Sequence, residues 1–171
     1  MLKRNPNISL PIRFDFKVAT AAEMCALGRE ASVLFSLDYN NYEFQSLVCM
    51  TGIPDSGKTH FCKGLISVFK PVSIETLNRE PFSALTEAGG FISHFDYKDD
   101  PYYDPPIDHT SDHCTYFIEH GELSDTEFTH WVEVTEAENG HRHVSIEIPE
   151  DMAEERSTGV FIQRTQRFAL V

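Results

Sequence analysis

Residues 52–59 read Gly-Ile-Pro-Asp-Ser-Gly-Lys-Thr, the pattern G-x-x-x-x-G-K-[ST] of a phosphate-binding loop (P-loop, or Walker A). No other stretch restricts the fold as strongly, because the pattern works only between a buried strand and the start of a helix. Gly52 and Gly57 let the backbone curl so that successive amides converge on phosphate oxygens. A helix beginning at Lys58 adds its free N-terminal amides and the positive end of its dipole. In such a loop Lys58 reaches the β- and γ-phosphates of a nucleotide, and the Thr59 hydroxyl ligates Mg²⁺. With ordinary residue frequencies, a chance match in a chain of this length is on the order of 1%. The flanks agree with the motif. The apolar run Phe44–Thr51 predicts a buried parallel strand, and Lys58–Phe69 predicts a helix stopped by Pro71.

Around this unit the pattern is that of an α/β protein. Residues 1–17 read as an N-terminal arm with an edge strand near Ile12–Val18, and 18–171 as a single P-loop domain. Thr20 is an expected N-cap with Glu23 completing a capping box, and Ala21–Phe35 has helical apolar spacing. Asp38–Tyr42 reads as a polar connection, Asn78–Gly90 as irregular chain, and Phe91–Phe95 as a strand closed by Asp96. Lys98–Asp112, dense in Asp, Pro and Tyr, reads as a surface loop, followed by a short helix over Cys114–His120. Phe128–Val134 and His143–Ile148 read as strands joined by a turn at Asn139–Gly140. Phe161–Gln163 and Arg167–Val171 suggest a terminal hairpin or a continuation of the sheet. The expected architecture is a three-layer P-loop NTPase-like sheet with a strand-rich C-terminal part.

Charge bounds the function. With 14 Lys+Arg against 27 Asp+Glu, the net charge is −13. So acidic a surface argues against unaided binding of nucleic acid or an anionic membrane as the main activity. A polyphosphate is not excluded, since the loop binds it with backbone amides and one lysine. The four cysteines, Cys25, Cys49, Cys62 and Cys114, form no CxxC, which fits a reduced, cytoplasmic setting. Cys49 and Cys62 read as small apolar residues beside a buried strand and helix. Met1–Asn7 carries Lys3 and Arg4 with no apolar run after it, so no secretory signal is expected.

A P-loop needs a second carboxylate for its metal, at the end of a neighbouring strand. Asp96 is in that setting, although an Asp that merely ends a strand in a turn is the competing reading. Asp99, Asp100, Asp104 and Asp108 read as a solvated acidic loop. Asp108-His109 and Asp112-His113-Cys114 match no zinc-ligand spacing, and His141 and His143 read as solvent-facing. Trp131, the single tryptophan, fits either core packing or a place beside the nucleotide.

These residues resemble the TsaE (YjeE-type) ATPase family of the bacterial machinery that makes N6-threonylcarbamoyladenosine in tRNA. Thr20-Ala-Ala-Glu-Met-Cys-Ala-Leu-Gly28 is similar to the family's first helix, and Gly52–Thr59 with His60-Phe-Cys-Lys-Gly64-Leu to its P-loop and continuation. His94-Phe95-Asp96-Tyr97 is similar to its HFDlYR motif, and Thr129-His130-Trp131 falls where the family has a Glu-Trp pair. The resemblance covers roughly residues 18–171. It implies an ATPase acting with the protein subunits of the threonylcarbamoyl-transferase complex, touching tRNA only indirectly, with ATP and Mg²⁺ as ligands.

Carried onto this chain, the implied catalytic residues are Lys58, Asp96, His130 and Glu133, and the metal ligands are Thr59 and Asp96. The nucleotide-contacting set is Gly52, Pro54, Asp55, Ser56, Gly57, Lys58, Thr59, His60 and Trp131. The departures are specific. His130 stands at the family's acidic position, with Glu133 on the same strand face as Trp131 as a substitute. Pro54-Asp55 replaces small residues, and Lys98 is the nearest cation to the missing arginine after Tyr97. Ser73-Ile-Glu-Thr76 is the nearest match to the family's Ser-Pro-Thr switch. Two other readings stay open: a small-molecule P-loop kinase recruiting Arg156, Arg164 or Arg167, and a nucleotide-sensing adaptor that does not hydrolyse ATP. The absence of NKxD and DxxG counts against a GTPase.

Overall fold

Apolar alternation along the chain builds one mixed sheet of seven strands. The computed structural model describes residues 11–35, 46–79, 81–85, 91–96, 114–121, 127–150, 153 and 155–168. The strands are β1 (Pro11–Val18), β2 (Ser46–Gly52), β3 (Phe82–Leu85), β4 (Phe91–Asp96), β5 (Cys114–Glu119), β6 (His130–Glu136) and β7 (Arg142–Pro149). The helices are α1 (Ala21–Ala31), α2 (Lys58–Ile66), α3 (Ile74–Arg79) and α4 (Glu155–Thr165). Across the sheet the order is β1-β7-β6-β2-β5-β4-β3. β2 runs parallel to β5 on one side and to β6 on the other, and β4 continues parallel to β5. β7 is antiparallel to both β6 and β1, and β3 is antiparallel to β4.

Strand alternation divides the core in two. Val48, Met50, Val132, Val134, Val144 and Ile146 face one side, where the buried residues of all four described helices join them. Leu47, Cys49, Phe95, Tyr116, Ile118, Phe128 and Trp131 form a smaller cluster on the other side. Each such burial contributes about 1.5–3 kcal/mol. α1 starts as its capping residues dictate. The Thr20 hydroxyl accepts from the Glu23 amide at 3.1 Å, while Glu23 Oε2 accepts in return from the Ala19 amide at 2.6 Å. α1 and α2 cross with almost no gap. A Cβ on Gly28 would strike the Phe61 carbonyl, and one on Gly64 the Cys25 carbonyl.

Three expectations are corrected. Cys114–His120 is not a helix: Cys114–Glu119 is β5, paired on both sides with parallel strands. Its Thr-Tyr-Phe-Ile centre favours the pleated, two-sided burial that β2 and β4 offer. Asn78–Gly90 is not irregular throughout, since α3 runs to Arg79 and β3 follows at Phe82. The terminal hairpin is replaced by α4, whose Phe161 ring stands edge-on to Phe14 and Phe16 at 5.1 and 5.5 Å. β1, β2, β4, β6, β7, α1 and α2 lie where the sequence places them, within a few residues. The acidic loop at 98–112 and the Asp-His pairs at 108–109 and 112–113 lie outside the described residues, as does the 38–42 connection.

Candidate phosphate-binding site

β2 lies between β5 and β6 in the sheet, and the connection from β5 to β6 crosses it, so the order of the strands reverses there. Crevices at the carboxyl ends of strands at such a switch point are where open α/β sheets place ligands. The Gly52–Thr59 loop sits there. Gly52 has φ 139 and Gly57 has φ 104, both in the region that side chains avoid. Gly52 also lies against the Val134 carbonyl of β6, leaving no space for a Cβ. Asp55, with φ 61, adopts the left-handed conformation despite its side chain.

Lys58 opens α2 and is buried, with its amine folded back into the loop. Its Nζ donates to the carbonyls of Gly52 at 3.0 Å and Ile53 at 2.9 Å, with Ser56 Oγ at 3.5 Å. Ile53, Pro54 and Asp55 are exposed at the loop's crest, Ser56 is buried below, and His60 is half-buried on the first turn of α2.

The residue that sequence reasoning missed is Glu119. It ends β5, the strand next to β2, and only 3% of it is exposed. Its carboxylate bonds His94 Nε2 at 2.9 Å. Burial pushes this carboxyl up. The bond and charge of His94, the Thr59 hydroxyl and the Lys58 charge outweigh burial and hold it below the ordinary carboxylate range. Asp96, at the end of β4, is the register partner of Glu119, so two carboxyl-bearing residues end adjacent strands beside the loop. The signal for Glu119 was present, an acid closing an apolar six-residue run, but the run was read as a helix.

The donor set suits Mg²⁺, which prefers hard oxygen ligands. The Thr59 hydroxyl on the first turn of α2 and the carboxylates of Glu119 and Asp96, register partners at the ends of β5 and β4, are such oxygens.

The other expected site residues are placed elsewhere. His130 and Trp131 pair with Val48 and Cys49, well below the loop-bearing end of β2. His130 is buried, bonded through Nδ1 to Thr129 Oγ1 at 2.7 Å and edge-on to Phe35. Trp131 belongs to the second core cluster, which is the packing alternative. Glu133 is level with Thr51, but it is exposed on the face opposite α2, where its charge reaches Arg13. The acid that stands beside the loop is Glu119, the last residue of β5. Ser73 caps α3, accepting from the Thr76 amide at 3.1 Å. Arg164 and Arg167 lie 3.9 and 3.6 Å from Glu30 of α1.

No protein-family model matches the chain, and no curated protein matches it. Among solved structures it is similar to the crystal structure of Bacillus subtilis YdiB. The superposition has a TM-score of 0.62 at 12% identity and covers 92% of this chain and 97% of the other. At that identity the likeness establishes the fold alone, an α/β mixed sheet. No described helix is long and apolar enough to cross a membrane.

Proposed function

We propose that this chain binds ATP·Mg²⁺ at residues 52–59 and hydrolyses the γ-phosphate, as the ATPase subunit of a tRNA threonylcarbamoyladenosine machinery. The observation behind the chemistry is the buried Glu119, held by His94 at 2.9 Å, beside the loop onto whose Gly52 and Ile53 carbonyls the Lys58 amine is folded, at the switch point of the sheet. The assignment to that machinery is supported by the ordered sequence resemblance and by a fold shared with YdiB.

In this mechanism the Lys58 amine exchanges the Gly52 and Ile53 carbonyls for phosphate oxygens, and the amides opening α2 take the remainder. Thr59, Glu119 and Asp96 hold the cation, which when bound neutralises charge on the β- and γ-oxygens. His94 orients Glu119. Attack is by water, and the ATPase is weak or partner-dependent. Its turnover resets the transferase complex, whose basic face would meet this acidic surface. Cytoplasmic placement follows from that role.

The non-hydrolysing adaptor loses one of its two motives, because an acid does stand beside the loop; the missing Ser-Pro-Thr switch still favours it. The kinase reading loses Arg164 and Arg167 to Glu30. Calorimetry of ATP·Mg²⁺ with Lys58→Ala tests the loop: a loss of about 10–100-fold is expected, from one or two charged hydrogen bonds. Unchanged affinity would overturn the reading. A pull-down of the transferase subunits, with and without ATP, tests the assembly separately; no association in either state removes it and leaves the nucleotide site standing.

A further inference from the structure

We propose that Cys62, His94 and Glu119 form a binding site for a thiolate-preferring divalent cation, zinc first among them, directly beneath the phosphate loop. Cys62 follows Thr59 by three residues on α2, so both look from one helix face toward the neighbouring ends of β4 and β5, where His94 and Glu119 stand. All three side chains are buried, and one ligand atom from each lies within 4.8 Å of the others. Tetrahedral zinc, with bonds of 2.0–2.3 Å, needs donors roughly 3.3–3.8 Å apart. Closing the trio to that spacing takes shifts of about an ångström.

The donor types decide the metal. One sulfur, one imidazole nitrogen and one carboxylate oxygen suit zinc, whereas Mg²⁺ seeks oxygens and keeps its waters. His94 adds an independent sign. Its Nε2 is engaged by Glu119, yet its Nδ1 is buried with no hydrogen-bond partner among the described residues. A ring nitrogen buried without a partner is a polar group that the packing of the described residues does not account for. Packing alone does not call for this trio. Glu119 explains His94, but a valine would fill the place of Cys62 equally well. Its Sγ touches only another sulfur by hydrogen-bond distance, Met50 Sδ at 3.0 Å.

Binding converts the Cys62 thiol to a thiolate and releases its proton to solvent, so one proton leaves per cation. Two anionic ligands then balance the dication. The site itself does not depend on the nucleotide reading. One consequence does: a cation on Glu119 withdraws it from the Mg²⁺ ligands, so zinc and ATP·Mg²⁺ oppose each other.

The test uses the full chain expressed in cobalt-supplemented medium, which loads a buried site during folding. One cobalt per chain is expected, with a thiolate-to-cobalt charge-transfer band in the near ultraviolet. Cys62→Val should abolish the band and cut zinc affinity by more than about 100-fold, and Glu119→Gln by about 10–100-fold. Cys62→Ser serves if the valine variant does not fold. Proton release near one per zinc, measured on the unmodified protein in weak buffer, needs no variant at all. Lys58→Ala should leave the cobalt spectrum in place, which separates failure of the phosphate loop from failure of this site. Substoichiometric cobalt, a band that survives in folded Cys62→Val, or zinc uptake without proton release would each overturn the proposal and make the trio a packing cluster.

Discussion

The two halves of the sheet treat polar residues in opposite ways. In the parallel half, β2, β4 and β5 are covered on both faces, and their polar groups are buried and shared: Lys58 with loop carbonyls, Glu119 with His94. In the antiparallel half, β1 and β7 bury Phe14, Phe16, Val144 and Ile146 against the helices. Their other face carries Arg13, Asp15, His143, Ser145 and Glu147, which pair with one another around a buried Ser145, the charged members keeping part of their contact with water. Asp15 takes 2.6 and 3.1 Å bonds from Ser145 and His143. Both halves are well bonded, but only the first has removed its partners from water. Function follows the burial, because a carboxylate in low dielectric changes what its neighbours can hold.

Substitutions test this contrast, beginning with the largest effect. Trp131→Ala should cost about 3–5 kcal/mol by denaturant unfolding, the range for emptying a buried aromatic site. ATP·Mg²⁺ affinity of the folded fraction should stay within about twofold, since a charged-group contact would cost far more. A large loss of affinity with little loss of stability would move Trp131 from the core to the nucleotide. Glu119→Gln comes next, at about 1–3 kcal/mol, because His94 keeps a partner of the same shape but loses its charge.

Acid titration sharpens the same difference. The folded Glu119 carboxyl lies below its ordinary value, against burial, through His94, Thr59 and Lys58. Its stabilisation is therefore complete above the unfolded value of about 4.3 and is lost as pH falls through the folded one. Glu119→Gln should flatten the stability profile below about pH 4.3. Asp15 has the same sign: burial raises it, and Ser145 and Arg13 more than reverse this. Its side chain is 35% exposed, so salt should erase most of its share. Arg13→Ala should be the smallest, about 0.2–1 kcal/mol. If Arg13→Ala costs as much as Glu119→Gln, the contrast between the halves fails.

The elements legible in the sequence were those with a distinct period or a cap. β7 alternates cleanly, α1 has Thr20 and Glu23, and the loop names itself. β5 was not legible because a six-residue run with four apolar residues fits either a helix or a buried strand, and only its parallel neighbours decide between them. With β5 went Glu119, so the acid beside the loop was sought on β6. α4 was lost for the opposite reason: Phe161 is its one large fully buried side chain, too sparse a stripe to show a period. Its anchor lies in Phe14 and Phe16, on the first strand of the chain.

β6 belongs to both halves, antiparallel to β7 and parallel to β2. Those two seams differ in time as well as in geometry. The β6–β7 seam closes through a tight turn at Asn139–Gly140, whereas Leu47 and Thr129, which open the β2–β6 seam, are 82 residues apart. Loop-closure entropy makes the first seam early and the second late. The phosphate loop rests on Val134 of β6, so it takes its final shape only after the long closure. In a folding experiment the hairpin should gain amide protection first, and nucleotide binding should return with the last phase.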